Sequence, residues 1–310
     1  MIEKIAIILI VALSQLNIIP ESQSSFNFLD QFSKEETTNI QLNLQEGNWV
    51  YPVYPAKIKG ASDFNIDAKS ALVLDVKTNA VLYSKNSNEN LPIASITKIM
   101  TGLVVLDNID LDEVVTISRK AFDRGGSKNG LSVGEKITAG NLLKVMFVNS
   151  NNIAAYALAE HTSGNVDDFV RLMNKKADSI GLENTEFLNP SGLDSENGNN
   201  VSTAYEVARL VNYSLKESLI WEILRIQKIT VTSTNEKIKH NLKNTNLLLG
   251  KLKNITGGKT GLTNNAGQCL VLAVGDPENN HKIISVVLDS GDRFLETKKL
   301  TNWIFENYKW

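Results

Sequence analysis

The chain has 310 residues, enough for one or two domains with a sizeable hydrophobic core. Hydrophobic residues make up 42% and charged residues 21%, which is typical of a globular protein and excludes an intrinsically disordered one. The net charge is −2 and no long basic run occurs, so neither nucleic acid nor an anionic membrane surface is an expected partner.

The first 20 residues are predicted to be a signal peptide or an N-terminal membrane anchor. Lys4 precedes nine uninterrupted apolar residues, Ile5 to Leu13, and a mixed stretch then ends at Pro20. That apolar length is typical of a signal-peptide core and is short for a membrane span, which needs about 20 apolar residues. Glu3 dilutes the positive start and no clean A-x-A cleavage site follows, so cleavage and retention as an anchor both stand as interpretations.

Residues 21–60 are predicted to be a polar linker that precedes a single domain, residues 61–310. They are rich in Ser, Gln, Asn, Glu and Thr, and Pro52 and Pro55 lie near their end. The alternation of aromatic and β-branched residues from Trp49 to Tyr54 is compatible with docking of the linker's end on the domain.

The domain begins with a predicted hairpin and a helix. The strands are residues 71–76 and 80–83, and residues 77–79 form the short turn between them. Apolar residues then recur at helical spacing after Pro92: Ile99, Leu103 and Leu106.

Helices dominate the middle of the domain and strands return after it. Residues 111–220 read mainly as helices and loops, with the clearest helical runs at 142–147 and 153–159. The later predicted strands are 226–232, 268–274 and 282–288, with a hairpin loop at 275–280 and a closing helix from about Arg293 to Tyr308. This order predicts an α+β fold in which both ends of the chain complete one sheet.

The residue types of a metal or redox centre are scarce. Cys269 is the single cysteine and lies in an apolar run, which predicts a buried core position and excludes an intrachain disulfide. With three histidines and no H-E-x-x-H pattern, a zinc site is not expected. We predict no metal and no organic cofactor.

Three short motifs carry residues suited to serine catalysis: Ser95-Ile96-Thr97-Lys98, Ser150-Asn151-Asn152 and Lys259-Thr260-Gly261. A serine hydroxyl needs a base beside it, and Ser95 and Lys98 are three apart, which places them on one face of a helix. A lysine acts as a base only if burial or a neighbouring cation lowers its pKa, and Lys259 is the expected cation. An isolated S-x-x-K is more often a helix start with a solvated lysine; the two further motifs favour catalysis.

In this order, the motifs resemble the S-x-x-K, S-x-N and K-T-G set of the penicillin-recognising serine enzymes. The flanking sequences are similar to those of the low-molecular-mass D-alanyl-D-alanine carboxypeptidases at residues 94–101, 185–193, 257–263 and 296–300. The resemblance covers roughly residues 60–310. It implies a β-lactamase/DD-peptidase-like fold, with a five-stranded antiparallel sheet flanked by helices and a helical subdomain.

The resemblance also implies a role for each motif residue on the catalytic side of the site. Ser95 would be acylated with Lys98 as its base, and Ser150 would relay a proton to the leaving amine. Asn152 would hold the substrate amide. Because Ser and Asn are also the residues preferred at helix N-caps, a capping role for this second motif is an alternative interpretation.

The remaining motif residues are implied in substrate binding. Lys259 and Thr260 would bind a terminal carboxylate, and Gly261 would let the substrate backbone approach. The backbone N–H of Leu262 would complete an oxyanion hole with that of Ser95, although many relatives carry His or Tyr at the position of Leu262. Arg293 would assist carboxylate binding; its alternative is a surface charge at a helix start.

Three other enzyme classes fit less well. A P-loop would need its first glycine at Lys253, and an α/β-hydrolase would need a G-x-S-x-G motif that does not occur. A class A β-lactamase would carry a glutamate four residues before Asn189, where this chain has Thr185. A DD-endopeptidase, a class A-like β-lactamase and a penicillin-binding module without turnover remain the alternatives to a carboxypeptidase.

We therefore expect a hydrolase that acts outside the cytoplasm, secreted or attached to the outer face of the cytoplasmic membrane. The resemblance implies the peptidoglycan stem peptide as substrate and β-lactam antibiotics as covalent inhibitors. The sequence ends at Trp310 straight after the closing helix, so any attachment to the membrane is expected at the N-terminus.

Overall fold

The structure is a computed structural model that describes residues 54–126, 130–276 and 281–310. The predicted signal or anchor segment, most of the predicted linker and residues 277–280 of the predicted hairpin loop lie outside these ranges. No helix within them is long and apolar enough to cross a membrane.

The described elements, in chain order, comprise thirteen strands and eight α-helices. The strands are β1 (Ala56–Lys57), β2 (Ala68–Asp75), β3 (Val81–Lys85), β4 (Leu91–Pro92), β5 (Val114–Thr116), β6 (Lys136–Thr138), β7 (Val201–Ser202), β8 (Lys228–Thr232), β9 (Lys239–Lys243), β10 (Ile255–Thr263), β11 (Gly267–Gly275), β12 (Lys282–Ser290) and β13 (Tyr308–Lys309). The helices are α1 (Lys98–Asn108), α2 (Arg119–Gly125), α3 (Ala139–Val148), α4 (Asn152–Ser163), α5 (Val166–Ser179), α6 (Ala204–Ser214), α7 (Ser218–Arg225) and α8 (Arg293–Asn307). A one-turn 3₁₀ helix, Ala94–Thr97, leads into α1.

A five-stranded antiparallel sheet organises the domain, with strand order β10-β11-β12-β2-β3. Pairing of β12 with β2 joins the two ends of the chain, for example Ile284 opposite Leu74. The predicted α+β class, with this sheet flanked by helices, is confirmed.

The sheet is buried on both faces. Along β11, Val271 and Ala273 lie in the core shared with the helices between β3 and β8. Leu270 and Leu272 lie in a second core with Leu300 of α8. Because successive side chains of a strand point to opposite faces, this double burial explains the uninterrupted apolar run of β11.

The predicted strand 226–232 does not join this sheet, which corrects the sequence-based expectation. Residues 228–232 form β8, which pairs with β9 in a separate hairpin, with Val231 opposite His240. The strand that completes the large sheet is β10, which carries the motif Lys259-Thr260-Gly261. Its glycines give β10 a weak strand signal, because residues without a side chain contribute no packing on the sheet surface.

Helix α1 passes through the helical part of the domain and begins with Lys98, the last residue of the first motif. Its residues Lys98 to Val105 are all buried. The predicted helical runs 142–147 and 153–159 lie within α3 and α4. The closing helix, predicted to end near Tyr308, ends at Asn307.

The end of the predicted linker takes part in the fold. Ala56 of β1 is paired with Lys309 of β13, and the Ile58 N–H donates to the carbonyl of Asn307. The folded domain therefore begins a few residues before the predicted boundary at residue 61.

Candidate active site

The 3₁₀ turn presents Ser95 at the start of α1. Ala94, the residue before it, has φ +46°, a left-handed backbone that is uncommon outside glycine. Ser95 is partly exposed, whereas Ala94, Ile96 and Thr97 around it are buried. The Ser95 hydroxyl is therefore accessible at the N-terminal end of a buried helix.

Lys98 is fully buried and its Nζ lies 2.7 Å from the Oγ of Ser95. The same nitrogen lies 2.7 Å from the Oδ1 of Asn152 and 2.6 Å from the carbonyl oxygen of Ser191. The latter two atoms can only accept hydrogen bonds. A neutral amine has two hydrogens and one lone pair, so donation to both acceptors directs the lone pair at Ser95.

The surroundings of Lys98 favour this neutral form. Burial lowers the pKa of Lys98 well below its ordinary value, and the charge of Lys259 lowers it further. A neutral amine facing a serine hydroxyl is the arrangement that general-base activation of that serine requires.

The second motif forms the turn between α3 and α4. Asn151 is the N-cap of α4, since its Oδ1 accepts a hydrogen bond of 2.9 Å from the backbone N–H of Ala154. The capping role considered for this motif therefore belongs to its middle residue, Asn151, and not to Ser150 or Asn152. Ser150, with φ +60°, and Asn152 turn their side chains to Lys259 and Lys98 respectively.

Lys259 lies on β10, the edge strand of the sheet, and its side chain is 1% exposed. Its Nζ donates to the Oγ of Ser150 and to the carbonyl of Thr260, each at 2.8 Å. Burial, and then the charge of Arg293, lower the pKa of Lys259 to about 7. Such a group can gain and lose a proton near neutral pH.

Gly261 brings the edge strand against the start of the 3₁₀ turn. A Cβ atom at this glycine would lie 3.0 Å from the Cβ of Ala94 and 3.3 Å from the backbone nitrogen of Ser95. The peptide that joins Gly261 to Leu262 is thus adjacent to the peptide nitrogen of Ser95. The side chain of Leu262 is 62% exposed, so only its backbone is held in place.

Arg293, the first residue of α8, is attached to the same strand. Its Nη1 donates to the carbonyl of Gly261 at 2.6 Å. Its Nε is buried and has no hydrogen-bond partner among the described residues. The guanidinium is therefore half-buried beside the edge strand and not a solvated charge at a helix start.

No role was predicted for the loop that supplies the carbonyl of Ser191. The Oδ1 of Asn189 accepts hydrogen bonds from the backbone N–H groups of Ser191, at 3.1 Å, and Gly192, at 2.7 Å. Asn200 donates from Nδ2 to the carbonyl of Asn189, at 2.8 Å, and to the Oγ1 of Thr97, at 2.9 Å. The resemblance at residues 185–193 marked this segment, but a backbone acceptor leaves no side-chain pattern to interpret.

The contacts above link the nine residues predicted for the site across β10, the 3₁₀ turn, α1 and the starts of α4 and α8, with Leu262 joined through Gly261. Within the described ranges, no group of three or more His, Cys, Asp or Glu side chains is placed to hold a metal ion.

The chain is similar in sequence and fold to a family of known peptidases. Residues 57–292 match the family model described as D-alanyl-D-alanine carboxypeptidase. A D-alanyl-D-alanine carboxypeptidase of Bacillus subtilis is 36% identical over 259 residues, covering 81% of this chain and 65% of the relative. The chain thus spans slightly less than two thirds of that relative's length.

Two further matches show the range of activities among similar proteins. A D-alanyl-D-alanine endopeptidase of Pseudomonas aeruginosa is 37% identical over 241 residues, covering 76% of each chain. The crystal structure of a D-alanyl-D-alanine carboxypeptidase from Mycobacterium tuberculosis superposes with a TM-score of 0.74 at 27% identity, covering 81% of this chain and 96% of that one.

Proposed function

The chain belongs to the D-alanyl-D-alanine carboxypeptidase family, and from this premise we propose that it is a serine-type carboxypeptidase. Its substrate is the peptidoglycan stem peptide, from which it removes the terminal D-alanine through an acyl-Ser95 intermediate. β-Lactam antibiotics acylate the same serine.

One observation carries the proposal: the buried Nζ of Lys98, with its lowered pKa, lies 2.7 Å from the Oγ of Ser95 and beside two acceptors that can take both hydrogens of the neutral amine. In acylation, Lys98 takes the hydroxyl proton as Oγ bonds to the carbonyl carbon of the penultimate D-alanine. The oxyanion is received by the backbone N–H groups of Ser95 and Leu262, which the approach of Gly261 brings together.

The second half of acylation requires a proton for the leaving amine. Ser150 donates its hydroxyl proton to that nitrogen and recovers one from Lys259, whose Nζ lies 2.8 Å away. In deacylation, water attacks the ester and its proton passes back through Ser150 to Lys259. Lys98 returns its proton to Ser95, so both lysines end the cycle as they began.

A terminal carboxylate binds at the edge strand to the Thr260 hydroxyl and to Arg293, which lies against Gly261. The Lys259 cation on the same strand adds positive charge to this site. Such a cationic site suits an exopeptidase, because only a substrate that ends at the site has a free carboxylate there. A DD-endopeptidase is the second candidate, favoured by the similarity to the Pseudomonas aeruginosa endopeptidase.

A β-lactamase fits the site less well. Thr185 lies at the position of the class A glutamate, and its hydroxyl is bonded to Ser202, at 2.7 Å, and to Glu206, at 2.6 Å. The side chain at position 185 therefore supplies no carboxylate to activate water, and the nearby Glu206 carboxylate is taken up by hydrogen bonds from Thr185 and Asn184.

The deciding experiment follows D-alanine release from a peptide ending in D-Ala-D-Ala, together with labelling by a tagged penicillin. We expect release and a covalent adduct at Ser95, and neither in Ser95→Ala. Ser84→Ala, on the strand at the far edge of the sheet, is the control and should keep both activities.

Each other outcome identifies an alternative. Labelling without D-alanine release would indicate a penicillin-binding module without turnover. Cleavage of cross-linked peptides in preference to the free peptide would indicate an endopeptidase, and labelling that persists in Ser95→Ala would overturn the mechanism.

A further inference from the structure

The hydroxyl of Thr245, which lies outside the three motifs, contacts Thr260 of the third motif. The Oγ1 atoms of Thr245 and Thr260 are 2.5 Å apart, a hydrogen bond in which either atom could be the donor. Thr260 is 4% exposed, whereas Thr245 is only partly buried and so lies nearer to solvent. Thr245 precedes Lys259 by fourteen residues and belongs to no motif found in the sequence.

The backbone around Thr245 is held by hydrogen bonds on both sides. Its N–H donates to the carbonyl of Val148, the last residue of α3, at 3.1 Å. The preceding Asn244 is buried, and its Oδ1 accepts from the backbone N–H of Asn246 at 2.9 Å. The Thr245 hydroxyl is therefore presented to Thr260 by a fixed loop.

The pair lies on the side of the edge strand that faces α8. Thr260 is opposite Leu270, which packs in the core beside α8. Cross-strand partners share a face of the sheet, so Thr260 faces the side of β10 on which α8 and its first residue, Arg293, lie. Lys259, its neighbour along the strand, faces the opposite side.

We propose that Thr245 is a positioning residue that directs the hydroxyl hydrogen of Thr260 to the substrate's terminal carboxylate. A carboxylate can only accept hydrogen bonds, so Thr260 must donate its single hydroxyl hydrogen to it. Thr260 then has none left for its neighbour, and the 2.5 Å contact requires Thr245 to be the donor. Donation into the Thr260 oxygen also strengthens the bond that Thr260 makes.

This inference rests on the proposed function and adds a specificity element to it. A C-terminal amide presents hydrogens as well as an oxygen, so it does not require Thr260 to donate. The Thr245 hydroxyl should therefore favour a free acid over the corresponding amide, without contributing to the reaction at Ser95.

The test compares a peptide ending in D-Ala-D-Ala with its C-terminal amide. In Thr245→Val, which removes the hydroxyl and keeps the side-chain shape, we expect kcat/KM for the acid to fall roughly three- to tenfold, mainly through KM. Turnover of the amide should change by less than about twofold. Thr245→Ser, which keeps a hydroxyl, should restore kcat/KM for the acid.

Thr230→Val is the matched control. Its Oγ1 bonds the Oδ1 of Asn241 at 2.7 Å within the β8–β9 hairpin, so it loses a similar hydrogen bond outside the carboxylate site. Its acid-to-amide ratio should equal that of the unmodified enzyme.

The outcomes separate this inference from the proposed function. Equal losses for acid and amide in Thr245→Val would show that the residue has only a structural role. No loss for either substrate would show that its hydroxyl has no role at all. Either result overturns the inference, while D-alanine release by the unmodified enzyme upholds the proposed function. No release from either peptide, or equal release from both, by the unmodified enzyme would overturn the carboxypeptidase assignment and this inference together.

Discussion

Gly192 lies directly against the peptide bond between Ala94 and Ser95. A Cβ atom at Gly192 would lie 1.9 Å from the carbonyl oxygen of Ala94 and 2.9 Å from the nitrogen of Ser95. On the other side, a Cβ atom added to Gly261 of the edge strand would lie 3.3 Å from the same nitrogen. The peptide that carries the nucleophile thus lies between two glycines, directly after Ala94 with its positive φ.

Gly192→Ala is therefore expected to disturb Ser95. Because no side chain fits between Gly192 and the Ala94 carbonyl, the loop or the 3₁₀ turn must move. We expect penicillin acylation of Ser95 to slow by a factor on the order of 10², since displacements of about 1 Å have effects of that size.

Gly164→Ala is the control for the backbone cost alone. Gly164 has φ +80°, close to the +79° of Gly192, and no atom lies within 4 Å of its would-be Cβ. It should lose about 1–2 kcal/mol of unfolding free energy and acylate normally. Similar acylation rates in the two variants would show that the contact with Ala94 does not matter.

Lys98→Ala should slow penicillin acylation by a factor on the order of 10² or more, the size of a general-base effect. Noncovalent binding of the acid peptide should persist, because the carboxylate site lies at Thr260 and Arg293. Stopped-flow acylation rates and peptide binding measure the two effects.

Lys144→Ala serves as the matched lysine control, since its Nζ also donates to an asparagine, the Oδ1 of Asn141 at 3.0 Å. Acylation by this variant should be normal. A near-normal rate in Lys98→Ala at neutral pH would instead move the base role to Lys259 acting through Ser150.

The pH dependence of kcat/KM for the acid peptide should report on Lys259. Its pKa of about 7 means that the cation is present below neutral pH and lost above it, so carboxylate binding should weaken as pH rises through about 7. Arg293→Gln removes a cation that lowers this pKa. The pKa of Lys259 should then rise, and the alkaline fall should move to higher pH.

The same variant should lose at least roughly tenfold in kcat/KM for the acid, because a charge-assisted hydrogen bond is removed. Arg293→Lys keeps the positive charge and should leave the alkaline fall near its original pH. An alkaline fall that does not move in Arg293→Gln would show that the two cations are not coupled.

We expect the domain to be exported and to lie outside the cytoplasmic membrane, because the enzyme can reach mature wall peptide only there. Cell fractionation followed by N-terminal sequencing should yield either a start near Ser22-Gln23-Ser24 or an intact, membrane-bound chain. Recovery of the intact chain as a soluble cytoplasmic protein would contradict both forms of the prediction.

Much of the fold and the main side chains of the site could be predicted from the sequence. The apolar runs of β2, β11 and β12 identified strands because their residues are buried on both faces of the sheet. Ser95 and Lys98 lie three residues apart on one turn, so their contact is local and can be read from spacing.

Only the tertiary structure decided which distant groups meet these residues. Lys98 contacts Asn152, 54 residues away, and the Ser191 carbonyl, 93 residues away; the second acceptor is backbone, which every residue type provides. Thr245 reaches Thr260 through a loop with no pattern of its own. The sequence by itself thus determined which functional groups the site contains, because it specifies the side-chain types and their local spacing. The long-range packing of loops determined how those groups are oriented, because their orientation depends on contacts between residues far apart in the sequence.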